Sequence, residues 1–102
     1  MAFLLALYKK PADAAAFDAH YFSRHVPLAK KIPGLSTYEV STGPVATPQG
    51  ESPYHLVAAL SFESLAAIQQ GFASPEGAAA AADLQNFAQA GVDLLMFDTK
   101  AV

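Results

Sequence analysis

Cysteine and tryptophan are both missing from this 102-residue chain. Without cysteine there can be no disulfide, no thiolate nucleophile and no sulfur-ligated zinc site. The lack also suits a cytoplasmic location. Charge is scarce. The net charge is −3, and the only basic clusters are Lys9-Lys10 and Lys30-Lys31, too few to neutralise a run of phosphates, so no nucleic-acid partner is expected. The glycines form neither G-x-G-x-x-G nor a P-loop, and no nucleophile elbow is present, so neither a nucleotide cofactor nor a serine-hydrolase triad is expected. No stretch approaches the ~20 apolar residues that span a bilayer. The opening MAFLLALYKK has an apolar run of only about seven residues, with charge after it and no small-residue cleavage site, so it reads as a strand and not as a signal peptide.

Apolar residues, by contrast, are in surplus. They make up 53% of the chain, more than so short a domain can bury inside itself. The remainder must lie on a surface, and large exposed apolar patches mark association sites. A two-fold homodimer is the simplest expectation.

In order, residues 2–8 form a short apolar strand bounded by Lys9-Lys10-Pro11. Asp13 is placed to cap a helix. Along that helix Phe17, Tyr21, Arg24 and Leu28 share one face. At about 100° per residue, His25 sits about 80° from Phe17 and His20 about 60° on the other side. Val26-Pro27 should bend or end the helix just past His25. Ile32-Pro33-Gly34-Leu35 has the form of a type II turn leading into a strand at 35–42, and 43–53 reads as a loop. The next strand is 54–61, with His55, Val57 and Ala59 on one face. Ser61 is placed to cap a helix carrying Leu65, Ile68 and Phe72, whose end Gly71 weakens. A second helix opens at Ser74-Pro75, with Ser as N-cap and Pro at the first position. Its alanine run 78–82 favours helix but promises little core. Leu84 and Phe87 supply its packing, Gly91 its C-cap, and 92–99 is the last strand.

The order βαβ followed by βααβ gives an α+β fold: a ferredoxin-like split βαβ domain spanning 1–102, with a four-stranded antiparallel sheet and helices on one face. The other sheet face is also apolar in strand after strand. A second copy packed on it would close a dimeric α+β barrel.

The opening strand with Leu7-Tyr8-Lys9, Phe17, Tyr21, the His25-Val26-Pro27-Leu28 block and the Lys31-Ile32-Pro33-Gly34-Leu35 turn resemble the EthD family. That family is named for a protein of ethyl tert-butyl ether degradation and lies within the dimeric α+β barrel superfamily. The resemblance covers essentially the whole chain. It implies a ferredoxin-like protomer, a face-to-face dimer and a ligand cleft between sheet and helices. Relatives in polyketide pathways act as cofactor-free dehydratases, decarboxylases or cyclases, and the superfamily also holds muconolactone isomerases, small monooxygenases and haem-degrading enzymes. His25 matches the family's characteristic histidine.

His25 is therefore the catalytic candidate, since an imidazole can take and return a proton near neutrality. At a helix C-terminus the dipole would raise its pKa. The same position equally suits a structural cap. Tyr8 and Tyr21 are the candidate substrate-binding hydroxyls, Tyr21 being the nearest along the helix to His25; Tyr38 and Tyr54 are further donors. His20, His25 and His55 lack the i, i+4 spacing of a helical metal site, so no metal is expected. Haem chemistry is disfavoured because related haem enzymes tend to use tryptophan. Arg24 and Lys30-Lys31 could draw an acidic ligand or form a solvated rim.

Two functions stay open. One is a small cofactor-independent lyase or isomerase acting on an apolar, aromatic or lactone substrate, with His25 as acid/base. The other is a non-catalytic accessory dimer holding a small apolar molecule. A cofactor-free monooxygenase is a further alternative.

Overall fold

The computed structural model describes residues 1–102. Strand β1 (Ala2–Lys9) lies at the centre of a four-stranded antiparallel sheet, between β5 (Tyr54–Phe62) and β6 (Val92–Asp98), with β2 (Thr37–Val40) on the outer edge of β5. The order β2-β5-β1-β6 is that of a split βαβ fold. Side chains alternate across the sheet. Leu4, Ala6, Tyr8, Leu56, Ala58 and Leu60 are buried beneath the helices, while Phe3, Leu5, Leu7 and Val57 face the other way and are only partly covered.

The first helix begins as α1 (Ala14–His20), where the Asp13 carboxylate accepts a hydrogen bond from the Ala16 N–H. It does not stop at His25. It widens into a π-helical stretch, Tyr21–His25, and goes on through α2 (Val26–Ala29). The physical reason lies in Pro27, which has no N–H to donate and whose ring crowds the preceding turn. The wider turn just before it, closed by the Val26 N–H on the Tyr21 carbonyl, absorbs that misfit. A π turn advances each residue by less than 100°. This draws His25 off the edge of the stripe and under Tyr21, ring over ring at 5.4 Å.

The turn after α2 is as expected, with Gly34 at φ 85°. The segment 43–53 is more ordered than a loop, since β3 (Ala46–Thr47) and β4 (Gly50–Glu51) pair as a small hairpin. Helix α3 (Leu65–Ala73) is capped by Ser64; Ser61 is buried and accepts a hydrogen bond from the Thr37 N–H. Helix α4 (Pro75–Phe87) is capped by Ser74 with Pro75 at its start, as the sequence indicates. The corner between these helices needs glycine. A Cβ on Gly77 would lie 2.1 Å from the Gly71 carbonyl oxygen, and one on Gly71 would lie 2.7 Å from that of Pro33. Gly71 is thus a close-packing position and not a weakness.

Two expectations about exposure also change. Ala80, within the alanine run, is buried. His55 does not share the open face with Val57: Tyr8 pairs with Leu56 and Lys9 with Tyr54, which leaves His55 as the extra residue of a β-bulge. The bulge aims its ring at α1, edge-on to Phe17 at 5.0 Å. No helix is long and apolar enough to cross a membrane.

Candidate active site: a buried imidazole at the end of an apolar cavity

A cavity of about 260 Å³ lies between the sheet and helices α3 and α4, and 15 of its 16 lining residues are hydrophobic. Small side chains make the room. Ala6 and Ala58 form part of the sheet-side wall, and Ala29, Ala80 and Ala81 part of the helical wall. Leu94 and Met96 of β6, each about half exposed, form the outer lip. At the inner end sit Tyr8, Tyr21, Tyr38 and His25.

His25 is 6% exposed. Its Nδ1 lies 3.0 Å from Asp83 Oδ2. Asp83 is itself buried on α4 and is met by two further groups: Asn86 donates from Nδ2 at 3.0 Å, and His20 from Nε2 at 2.9 and 3.1 Å. Burial alone would raise the pKa of Asp83, but the hydrogen bonds from Asn86, His20 and His25 outweigh it and hold the carboxyl below 3.8. An ionised carboxylate can only accept, so His25 donates through Nδ1–H and its Nε2 carries the lone pair. That nitrogen has no partner in the protein, yet no buried polar side-chain atom is left unsatisfied. Nε2 is therefore open to the cavity that His25 lines.

The expected effect of the helix dipole on His25 is not found. The helix continues past His25, and burial lowers its pKa, opposed in part by the hydrogen bond from Nδ1–H to Asp83. The ring is held neutral, as a base.

Tyr21 does not reach His25 through its hydroxyl. That group shares a hydrogen bond with the Tyr38 hydroxyl at 2.6 Å, while the Tyr21 ring packs on His25. Tyr8 lines the cavity, its hydroxyl free of protein partners, and its ring meets Phe17, Tyr21 and Phe87 edge-on or tilted. Burial pushes the phenols of Tyr8, Tyr21 and Tyr38 above 10, so all three remain neutral hydroxyls. Tyr54 is elsewhere, donating to Asp93 on the surface. Arg24, Lys30 and Lys31 are exposed and do not line the cavity. The three histidines do not converge either, because His55 pairs with Asp18 at 2.8 Å.

The residue that sequence reasoning missed is Asp83. Its signal was present: Ala80, Asp83 and Phe87 recur at helical spacing on the buried side of α4, so an acid falls within an apolar stripe. Such an acid needs a partner, and the histidines of α1 and the π stretch provide one.

Residues 9–91 match the EthD domain. The chain is 46% identical, over 97 residues, to the uncharacterized 11.0 kDa protein in the thcB–thcC intergenic region of Rhodococcus erythropolis, covering 94% of this chain and 92% of that protein. It is similar in structure to an ethyl tert-butyl ether degradation family protein from Bacillus halodurans, with a TM-score of 0.89, 37% identity and coverage of 98% and 99% of the two chains. A dimeric ferredoxin-like protein of unknown function from Thermobifida fusca shares the fold, with a TM-score of 0.70, 13% identity and coverage of 96% and 90%. The family match across most of the length, joined to a relative of high identity over nearly the whole chain, places this protein in the EthD family.

Proposed function

We propose that this protein is a small cofactor-independent enzyme of the lyase or isomerase type, with His25 as acid/base. The observation that carries the reading is the orientation of His25: Nδ1–H anchored on Asp83, Nε2 bare and facing an apolar cavity. A neutral imidazole so held can take a proton from a bound carbon or hydroxyl acid and return it. Tyr8 offers a hydroxyl to a carbonyl or developing enolate, and the Tyr21–Tyr38 pair fixes the adjoining wall. No lysine or arginine lines the cavity, so a carboxylate would enter unpaired at high cost. The fitting substrate is neutral, mostly apolar and small enough for about 260 Å³, such as an enolisable ketone, a lactone or a phenol.

The test is deuterium incorporation from D2O into a panel of such compounds, followed by NMR. Wild-type protein should accelerate exchange for at least one compound, and His25→Gln should abolish it while remaining folded. Exchange that survives His25→Gln would remove the basis of the proposal.

A second reading is a non-catalytic binder of an apolar molecule. It is favoured by a lining that could supply affinity without the imidazole. Under it, affinity would stay constant from about pH 5 to 8 and be unchanged in His25→Gln.

The same proposal includes a homodimer formed through the open sheet face. Phe3, Leu5, Leu7, Val57, Leu95 and Phe97 make that face apolar, and Leu95 is about half exposed. The Thermobifida neighbour is described as dimeric. Light scattering should give twice the monomer mass, with Phe97→Asp shifting it toward one. A cytoplasmic setting is the compartment in which we place this dimer.

A further inference from the structure

The carboxylate that anchors His25 is shared with a second imidazole, and the two imidazoles face different solvents. His25 lines the inner cavity and is absent from the surface groove; His20 lines the groove, with Asp13, Asn86, Phe87 and Gln89, and is absent from the cavity. Asp83 lines neither and sits between them. His20 is the more hydrated of the pair, with its side chain 27% exposed against 8% for His25. It stacks on Phe87 at 5.1 Å, and the same Phe87 ring meets His25 at 4.8 Å. Both histidines therefore share one carboxylate and one aromatic partner across the wall of the cavity.

We propose that His20 is a positioning residue for His25: acting through Asp83 from the outer surface, it sets the orientation and proton affinity of the buried imidazole. This inference rests on the reading of His25 as the base. The argument is one of charge. A single carboxylate can accept from two neutral imidazoles at once, as it does here. It can fully compensate only one imidazolium. The half-solvated ring carries a charge at the lower desolvation cost. Once His20 is cationic the negative charge of Asp83 is matched, and His25 gains little by protonation. His20 thus keeps His25 as the free base at weakly acidic pH, and by reciprocity a ligand that draws charge onto His25 is felt at His20. The groups that take part are few. Asp83 and Asn86 face His20 from α4, Asp13 lies across the groove, and His25 meets only Asp83 and the phenol of Tyr21 among titratable neighbours.

The test is an NMR titration of the histidine rings of the intact protein, wild type and His20→Gln. Glutamine can still donate to Asp83 but cannot become a cation. In wild type, neutral His25 should carry its proton on Nδ1, and its titration curve should show a second inflection at the pH where His20 titrates. In His20→Gln that inflection should vanish and the His25 midpoint should rise by roughly one pH unit, the size expected for removing a like charge a few ångströms away. A His25 midpoint unmoved in His20→Gln, or a wild-type curve with no second inflection, would overturn the proposal and leave His20 as a surface contact. The wild-type curve decides the matter if the variant does not fold. That failure would leave His25 as the base, because deuterium exchange tests it separately. A neutral His25 protonated on Nε2 would sink both.

Discussion

The chain holds two histidine–aspartate pairs of nearly equal geometry but unequal surroundings. His25 meets Asp83 at 3.0 Å, and His55 meets Asp18 at 2.8 Å. In the first pair both side chains are 8% exposed; in the second they are 24% and 49% exposed. Hydrogen-bond length does not separate them. Burial does, because the inner pair is stripped of water, tied to two further donors and aimed at a cavity. The outer pair lies over a broad polar groove beside Lys10 and Glu51, where water screens what it could do. A histidine and a carboxylate in contact do not make a site; the dry wall around them does.

The sharpest way to break this contrast is to remove each acid in turn. Asp83→Ala strands two imidazoles and an amide against one another and should cost about 2–4 kcal/mol in urea unfolding. Asp18→Ala should cost less than about 1 kcal/mol. Equal losses would mean that burial is not what distinguishes the pairs. Filling the cavity instead of emptying the dyad should separate function from stability. Ala80→Leu places bulk where Ala80 lines the cavity, and should weaken binding of an apolar probe by about tenfold or more while changing stability by less than about 1.5 kcal/mol.

The pH dependence follows from the two shifted groups. His25 has its folded pKa lowered below 6.5, so the unfolded chain binds its proton first. Stability should therefore decline as pH falls below about 6.5, levelling once the folded ring also protonates. Asp83 has its pKa lowered below 3.8. Its contribution is present above that value and is lost as pH falls through the folded pKa. Chemical denaturation from pH 8 to 3 should show both declines, and His25→Gln should lose the first. Tyr21→Phe is expected to have the mildest effect, about 1 kcal/mol, since it removes a single shared hydroxyl bond to Tyr38.

The fold was legible because its information is local and periodic. Alternation marked the strands, Ser74-Pro75 marked a helix start, and Pro33-Gly34 marked the turn into β2. His25, Tyr8 and Tyr21 were rightly singled out by residue type and motif, and all three line the cavity. The site was only half legible because its other half is distant in sequence. Asp83 is 58 residues from His25, and nothing local announces that pairing. The alanine run was undervalued for a related reason: propensity describes what a small side chain does for a helix, not the space it leaves beside one. His55 was turned by a bulge that depends on pairing with β1 and has no sequence mark of its own.

The widened turn at Tyr21–His25 makes the site a matter of chain length as much as of residue identity. A π turn within an α-helix behaves as one residue held in excess, and here that residue phases the imidazole onto the cavity. Point substitutions leave the count unaltered, so the stretch can drift in composition and keep its geometry. A single deletion cannot. Loss of the half-exposed Phe22 would let the segment relax to ordinary helical spacing. The resulting chain is expected to melt no lower than the parent, yet to fail the deuterium-exchange assay. Insertions and deletions, and not replacements, are then the changes by which a descendant of this protein would most readily abandon its chemistry while keeping its shape.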